Sequence, residues 1–161
     1  MKRWSKLQKQ LYLLLEPLVN IQIHCSIYRM QSQRGNTNIP RYWISLDKEI
    51  IWDYPKDFIN KSPTHRGKIS YFPYITDIPD ISKLIREYVD TPKNELLNKP
   101  FANDHWGLIN ILRVADKRIG SKKLQKLQKR IKNDEPAMKI IKYRLNQKFL
   151  NRKSSEVELK T

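Results

Sequence analysis

The sequence predicts an α+β protein with an N-terminal helix, a short antiparallel sheet and a helical, basic C-terminal half. Three successive hydrophobic patterns support this fold class. Apolar residues recur at helical spacing before Pro17, alternate with polar residues in two later stretches, and return to helical spacing from Asp80 onward. A chain of 161 residues is long enough for one hydrophobic core, and a second would be a tight fit. We therefore predict a single domain over residues 1–153 and a disordered tail over residues 154–161.

The first helix is predicted over residues 3–16. Its apolar side chains fall on one stripe, at positions 4, 7, 11, 14 and 15, with polar residues opposite. Pro17 ends this pattern, because proline lacks the N–H group that a helix interior needs. Residues 20–30 then alternate between apolar and polar, which indicates a half-buried strand.

A hairpin is predicted after this strand. Residues 31–39 are polar and include Gly35, which is typical of a turn region. Residues 41–54 contain two alternating runs joined at Asp47 and Lys48, which predicts two strands with a tight connection. The sheet is therefore expected to have three antiparallel strands.

The middle of the chain is expected to be irregular before helices resume. Residues 55–79 contain four prolines, and residues 61–68 are interpreted as an exposed loop. Residues 80–89 carry apolar side chains at helical spacing behind an aspartate, which is a good N-cap. Thr91 and Pro92 predict the cap and the first-turn proline of another short helix.

Three helices are predicted for the last third of the chain, over residues 104–119, 121–131 and 136–151. Gly120 is expected to end the first of them in a left-handed conformation, and Ser121 is expected to cap the second. The predicted inner face of the last helix consists of Met138, Ile141, Leu145 and Phe149.

Positive charge is concentrated in this helical third. Residues 113–153 carry 15 Lys and Arg but only three acidic residues, within a chain whose net charge is +16. A surface with so few acids repels itself unless a polyanion is near, and nucleic acid is the commonest polyanion in a cell. The charge pattern therefore predicts a non-catalytic protein that binds nucleic acid, either RNA or DNA.

The densest positive charge surrounds the junction between the first two of these helices. A phosphate group can be bound by the ammonium groups of lysines, by the guanidinium of an arginine and by the backbone N–H groups at the start of a helix. The candidate nucleic-acid-binding residues are Arg113, Lys117, Arg118, Ser121, Lys122, Lys123, Lys126, Lys129 and Arg130. We expect the cations from position 117 to 129 to share one face, and Asp116 to be a structural partner of Arg113 or Arg118. Lysine-rich faces neutralise phosphate more readily than they read bases, so binding is expected not to be sequence-specific.

Two other functions are compatible with the sequence. An acidic protein partner could meet the same basic surface, and this is the main alternative. A metal-dependent nuclease is less favoured: four acids surround the predicted hairpin, but no lysine stands two residues after Glu49. The hairpin acids are Asp47, Glu49, Asp53 and Asp57.

No cofactor or metal is predicted. The three histidines (His24, His65 and His105) lack the spacing of metal ligands, and Cys25 is the only cysteine. Base stacking on the sheet is also disfavoured, because half of its aromatic side chains must face the core. The aromatic residues in question are Tyr28, Tyr42, Trp43 and Trp52.

Residues 11–19 are apolar but too short to span a bilayer, and they are interrupted by Glu16 and Pro17. No signal peptide is recognised, so the sequence predicts a cytoplasmic protein without a membrane partner.

Three short segments carry a resemblance to a known family. The chain opens with Trp4-Ser5-Lys6-Leu7, residues 116–124 read DKRIGSKKL, and residues 143–145 read YRL. In these segments the chain resembles a family of small bacterial proteins of unassigned function, whose members carry a Trp-Ser-Lys-Leu helix and an Asp-Arg-Arg-Val-Gly-Lys-Arg-type segment. Lys117 and Ser121 depart from that pattern, which more often has Arg and Lys there. The resemblance implies one continuous domain and brings no activity, ligand or catalytic residue.

Overall fold

The fold was analysed in a computed structural model, which describes residues 4–32, 35–54, 64–65, 68–69, 81–102, 104 and 107–158. The helices are α1 (Trp4–Tyr12), α2 (Ile81–Val89), α3 (Leu108–Ala115), α4 (Ser121–Arg130) and α5 (Glu135–Glu158). The strands are β1 (Ile21–Ser32), β2 (Gly35–Leu46), β3 (Glu49–Tyr54), β4 (Thr64–His65) and β5 (Lys68–Ile69). The predicted α+β class is confirmed.

The central hairpin is longer than the sequence predicted. Strands β1 and β2 pair antiparallel along their full lengths, from Ile21 opposite Leu46 to Ser32 opposite Gly35. Residues 31–32 and 35–39 therefore belong to strands, and the predicted turn region over 31–39 is wrong within these described residues; residues 33 and 34 lie outside the described part of the chain. The polar composition of the strand residues did not prevent pairing, because the hydrogen bonds of a sheet are made by backbone groups.

The second hairpin is confirmed, with its turn at Asp47 and Lys48. Both residues have positive φ, at 47° and 72°, as a two-residue turn between antiparallel strands requires. The sheet order is β3-β2-β1-β5-β4, with β5 parallel to β1. The predicted loop over 61–68 is wrong within its described part, because Thr64–His65 and Lys68–Ile69 pair with each other. A parallel pairing between distant segments has no local sequence signal.

The core lies between one face of the sheet and the helices. Leu7 and Leu11 of α1 are fully buried, as the helical stripe predicted, and α1 packs against α2. Tyr42 and Ile44 point to the same core from β2. Helix α1 ends at Tyr12, earlier than predicted, because residues 14–16 leave the helix to contact a segment near position 116.

The helices after the sheet follow the predicted periodicity, with different ends. Helix α3 spans only Leu108–Ala115 of the predicted 104–119, and the Asp104 carboxylate accepts a hydrogen bond from the Ile109 N–H at 3.0 Å. The short helix predicted after Thr91 is wrong, because residues 93–98 form consecutive turns.

Two glycines differ from the expectation. Gly120 has φ −74° and ψ 169°, an extended conformation at the N-cap of α4, so the predicted left-handed helix end is wrong. Helix α3 has already ended at Ala115, and Gly120 no longer has to reverse the chain. Among the described residues, the glycine with a left-handed backbone is Gly107, at the N-cap of α3, with φ 76°.

Replacing Gly107 with alanine is expected to lower the free energy of unfolding by about 2–3 kcal/mol. A side chain in a left-handed conformation costs about 1–2 kcal/mol. The added Cβ would also lie 2.9 Å from Oδ2 of Asp134, which caps α5 in an interaction worth about 1 kcal/mol. Urea denaturation measures the change.

Gly120→Ala is the matched control and should stay within about 0.5 kcal/mol, since its φ is ordinary and no atom beyond its two chain neighbours lies within 4 Å of the new Cβ. Equal effects at the two glycines would contradict this prediction.

Helix α5 departs from its predicted inner face. Asp134 caps it, accepting a hydrogen bond from the Ala137 N–H at 3.1 Å. Ile141 is fully buried as predicted, but Phe149 is exposed and Arg144, absent from the predicted face, is 2% exposed. The backbone stays helical to Glu158, so the predicted tail begins inside the helix, and residues 159–161 of that tail lie outside the described residues.

Candidate nucleic-acid interface

The segment between α3 and α4, residues 116–120, is called the corner here. At Asp116 the backbone turns to ψ 122°, which ends α3. The chain then pairs with the segment that follows α1: the Glu16 N–H donates to the Ala115 carbonyl, and the Lys117 N–H donates to the Leu14 carbonyl, both at 2.8 Å. The end of α3 and the corner are therefore attached to the N-terminal part of the fold by one backbone hydrogen bond each.

Asp116 is fully buried and organises the corner. Its Oδ1 accepts the Arg118 backbone N–H at 2.8 Å, and its Oδ2 accepts the Tyr88 hydroxyl at 2.9 Å. Burial, together with the adjacent Asp116 carboxylate, raises the pKa of Tyr88 above its ordinary value, so the hydroxyl keeps the proton that it donates. The prediction that Asp116 is a structural partner of Arg113 or Arg118 is confirmed, and the partner is Arg118.

Arg118 is largely committed to these internal contacts. Its guanidinium forms a salt bridge with Asp116 at 2.7 Å, and its Nη1 donates to the Thr91 carbonyl at 2.9 Å. Its side chain is only 19% exposed. Arg118 therefore reaches the surface with one edge, and most of its hydrogen-bonding capacity is used inside the protein.

Arg113 is directed into the protein rather than toward solvent. Its Nε donates to the Leu96 carbonyl at 2.7 Å and its Nη2 to the Lys99 carbonyl at 2.8 Å. Partial burial lowers the pKa of this guanidinium from its ordinary value. Arg113 thus connects α3 to the turns that precede it, and these donors are not directed toward a nucleic acid.

The remaining cations of the candidate set are exposed. Leu124 and Leu127 bury one side of α4, and the lysines and arginine of the helix lie outside it. These exposed residues, called the basic face here, are Lys122, Lys123, Lys126, Lys129 and Arg130. Lys117 is exposed as well. That the cations from position 117 to 129 share one face stays a prediction.

An open depression of about 400 Å³ adjoins the start of α4. It is lined by Lys93, Arg118, Gly120, Ser121, Lys122 and Lys123. Lys93 was not predicted, because it lies in the turns after α2 and no local pattern connects it with residues 118–123. The tertiary structure thus adds a fourth cation, from a third chain segment, to this basic depression.

Ser121 does not cap α4, contrary to the sequence prediction. Gly120 occupies the N-cap position, and no side chain forms a capping hydrogen bond there. The Ser121 hydroxyl instead accepts a hydrogen bond from Nζ of Lys148 at 2.8 Å. This contact connects the first turn of α4 to α5.

The acids of the β2–β3 hairpin are spread over separate contacts. Asp53 accepts two hydrogen bonds from the Arg41 guanidinium, each at 2.9 Å, and Glu49 pairs with Lys139 at 2.8 Å. Within the described residues no group of three or more His, Cys, Asp and Glu is placed to hold a metal ion. Asp57 lies outside the described residues. The hairpin acids therefore supply no assembled metal centre in this part of the chain.

The aromatic residues of the sheet divide between its two faces. Tyr42 and Trp52 are buried in the core. Trp43 lies on the other face, stacked on His24 with 4.9 Å between ring centroids. The side chain of Tyr28 lies outside the described part of the chain. Core packing thus accounts for half of the candidate stacking residues, as expected.

These features define a basic α+β protein in which the buried Asp116 carboxylate holds the segment that precedes the lysine-rich helix α4. The chain belongs to the SF0329 protein family, whose model matches residues 3–145. No curated protein and no solved structure matches the chain. None of the helices in the described segments combines the length and apolar character that a membrane crossing needs.

Proposed function

We propose that the protein binds the phosphate backbone of nucleic acid through the basic face of α4 and the adjoining basic depression, without a catalytic step. The observation that carries this proposal is the exposure of five cations on a ten-residue helix that contains no acid. We infer a cytoplasmic location, where nucleic acid is the most abundant polyanion.

The spacing of the cations on α4 supports backbone contacts. Lys122, Lys126 and Lys129 follow one another at helical intervals, about 6 Å and 4.5 Å apart along the axis. None of the ion pairs among the described side chains engages a lysine of α4. These charges are therefore not neutralised within the described part of the protein and are available to phosphates.

The composition of α4 favours binding without base recognition. The helix contains no aromatic residue on which a base could stack. Of its two amide side chains, Gln125 is exposed and Gln128 is half-buried. Lysine contacts to phosphate fix a nucleic acid in place but carry no sequence information.

A salt titration of binding tests the proposal. With about five phosphates neutralised, the slope of log K against log salt should be near −4 to −5 on duplex DNA, and near −3 to −4 on a single strand. Two oligonucleotides of unrelated sequence should bind alike. Polyglutamate of matched charge serves as the control for an acidic protein surface and should compete weakly.

Three results would count against this function. Absence of binding at low salt, or stronger binding of polyglutamate than of nucleic acid, would favour an acidic protein partner. Binding that ignores salt, or that strongly prefers one oligonucleotide, would show that the surface reads bases.

A further inference from the structure

Arg144 is the largest of the fully buried side chains among the described residues. Its Nη1 donates to the Val114 carbonyl at 2.6 Å and to the Asp116 carbonyl at 3.1 Å. Its Nη2 donates to the Ile119 carbonyl at 3.0 Å and lies 3.4 Å from a carboxylate oxygen of Glu16. One guanidinium on α5 thus donates hydrogen bonds to three carbonyls at the end of α3 and in the corner.

These contacts explain why a charged side chain lies here. Burial lowers the pKa of Arg144, while the carboxylates of Glu16 and Asp116 favour the charged form. The last carbonyls of a helix have no partner within the helix, and they carry the negative end of its dipole. A guanidinium satisfies several of them at once, so Arg144 acts as a cap for α3 that is supplied from α5.

The direction of these hydrogen bonds affects the surface. The carbonyls of Asp116 and Ile119 point inward to Arg144. Lys117, which lies between these two residues, and Gly120, which follows them, are exposed. The carboxylate of Asp116 holds Arg118 through a separate set of bonds. Two buried networks thus hold Asp116, Arg118 and Ile119 of the corner.

We infer that Arg144 is a positioning residue for the proposed phosphate-binding surface: it holds the corner so that the edge of Arg118, Gly120 and the start of α4 face a phosphate together. This inference rests on the proposed function. Arg144 touches no ligand itself and acts through the backbone of the corner.

Arg144→Lys is the informative substitution, because it keeps the positive charge but replaces the two Nη donors of the guanidinium with a single ammonium group. A lysine ammonium is a single point and cannot reach three carbonyls through two separate nitrogens. The corner should then open more often, and its side chains would have to be ordered on binding. We expect the affinity for an oligonucleotide to fall by about tenfold, although every candidate phosphate contact is retained.

Limited trypsin digestion followed by mass spectrometry reports on the corner independently of binding. Trypsin cleaves after Lys117, Arg118, Lys122 and Lys123 when that backbone opens. In Arg144→Lys, cleavage at these sites should become about tenfold faster, while far-ultraviolet circular dichroism is unchanged. Arg86→Lys, the same exchange at a half-buried arginine of α2, is the control and should leave both cleavage and affinity at wild-type values.

Glu16→Gln provides a second, milder variant in case Arg144→Lys does not fold. It removes the carboxylate beside Nη2 and leaves the three carbonyl contacts, so the same sites should become accessible to a smaller extent. Unchanged cleavage in both variants would overturn the inference. An opened corner with wild-type affinity would also overturn it, because position would then not matter for binding.

The proposed function fails in a distinguishable way. If the wild-type protein does not bind nucleic acid at low salt, the function is wrong, whatever the digestion shows. If the wild-type protein binds nucleic acid, the cleavage rates and the oligonucleotide affinities of the variants together decide the role of Arg144.

Discussion

Asp116→Ala is expected to lower the free energy of unfolding by about 3–5 kcal/mol, since it removes one partner of a buried ion pair. The substitution leaves the mostly buried Arg118 guanidinium without its carboxylate and the fully buried Tyr88 hydroxyl without its acceptor. The Arg118 backbone N–H loses its acceptor as well. Urea denaturation followed by tryptophan fluorescence measures the effect as a shift of the midpoint.

Asp90→Ala is the matched control for this substitution. Asp90 lies at the end of α2 and is exposed, so its replacement should change stability by no more than about 0.5 kcal/mol. A loss below about 1 kcal/mol for Asp116→Ala would show that the buried network around Asp116 does not stabilise the fold.

The double variant Lys122→Glu/Lys123→Glu is expected to weaken binding by about 100-fold at about 50 mM salt. Each phosphate contact contributes on the order of tenfold at that salt concentration, and the new carboxylates also repel the backbone. The salt slope should become shallower by about 2. Both lysines line the basic depression and are exposed, so their replacement should leave the fold intact. Fluorescence anisotropy on two unrelated oligonucleotides measures the loss, which should be equal for both.

Lys6→Glu/Lys9→Glu separates a local effect from one of net charge. Lys6 and Lys9 are exposed on α1, and this variant has the same net charge as the α4 variant. It should lose much less affinity. Similar losses in the two variants would mean that overall charge attracts the nucleic acid and that the basic face has no special role. Arg118→Ala is a poor probe of binding by comparison, because the structure ties Arg118 to Asp116 and Thr91.

Elements that bury one face were predictable from the residues. The alternation in residues 41–54 and the stripe of α1 reflect a core on one side, which imposes a period of two on a strand and 3.6 on a helix. Their buried positions, such as Leu7 and Ile44, agree with that pattern. The element ends were less predictable, because they depend on contacts made elsewhere: α3 stops where Asp116 turns toward residues 14–16.

Among the candidate site residues, the exposure of the α4 lysines was predictable, because Leu124 and Leu127 fix which side of the helix is buried. The exposure of the arginine side chains was not predictable. A guanidinium has five donors and a long apolar stem, so it can serve as an internal partner for carbonyls as readily as a surface charge. Arg113 and Arg118 are drawn inward in this way, and buried Arg144 was predicted on no functional surface.

The residues alone establish where positive charge accumulates along the chain and which strongly periodic stretches contain a helix, because both depend on nearby positions. Which cations meet solvent is decided by contacts between distant segments. Lys93 joins the basic depression from the turns after α2, while Arg144 reaches the corner from α5. The free energy of a buried charge depends on partners that only the folded chain assembles, and counting charges along a sequence does not include them.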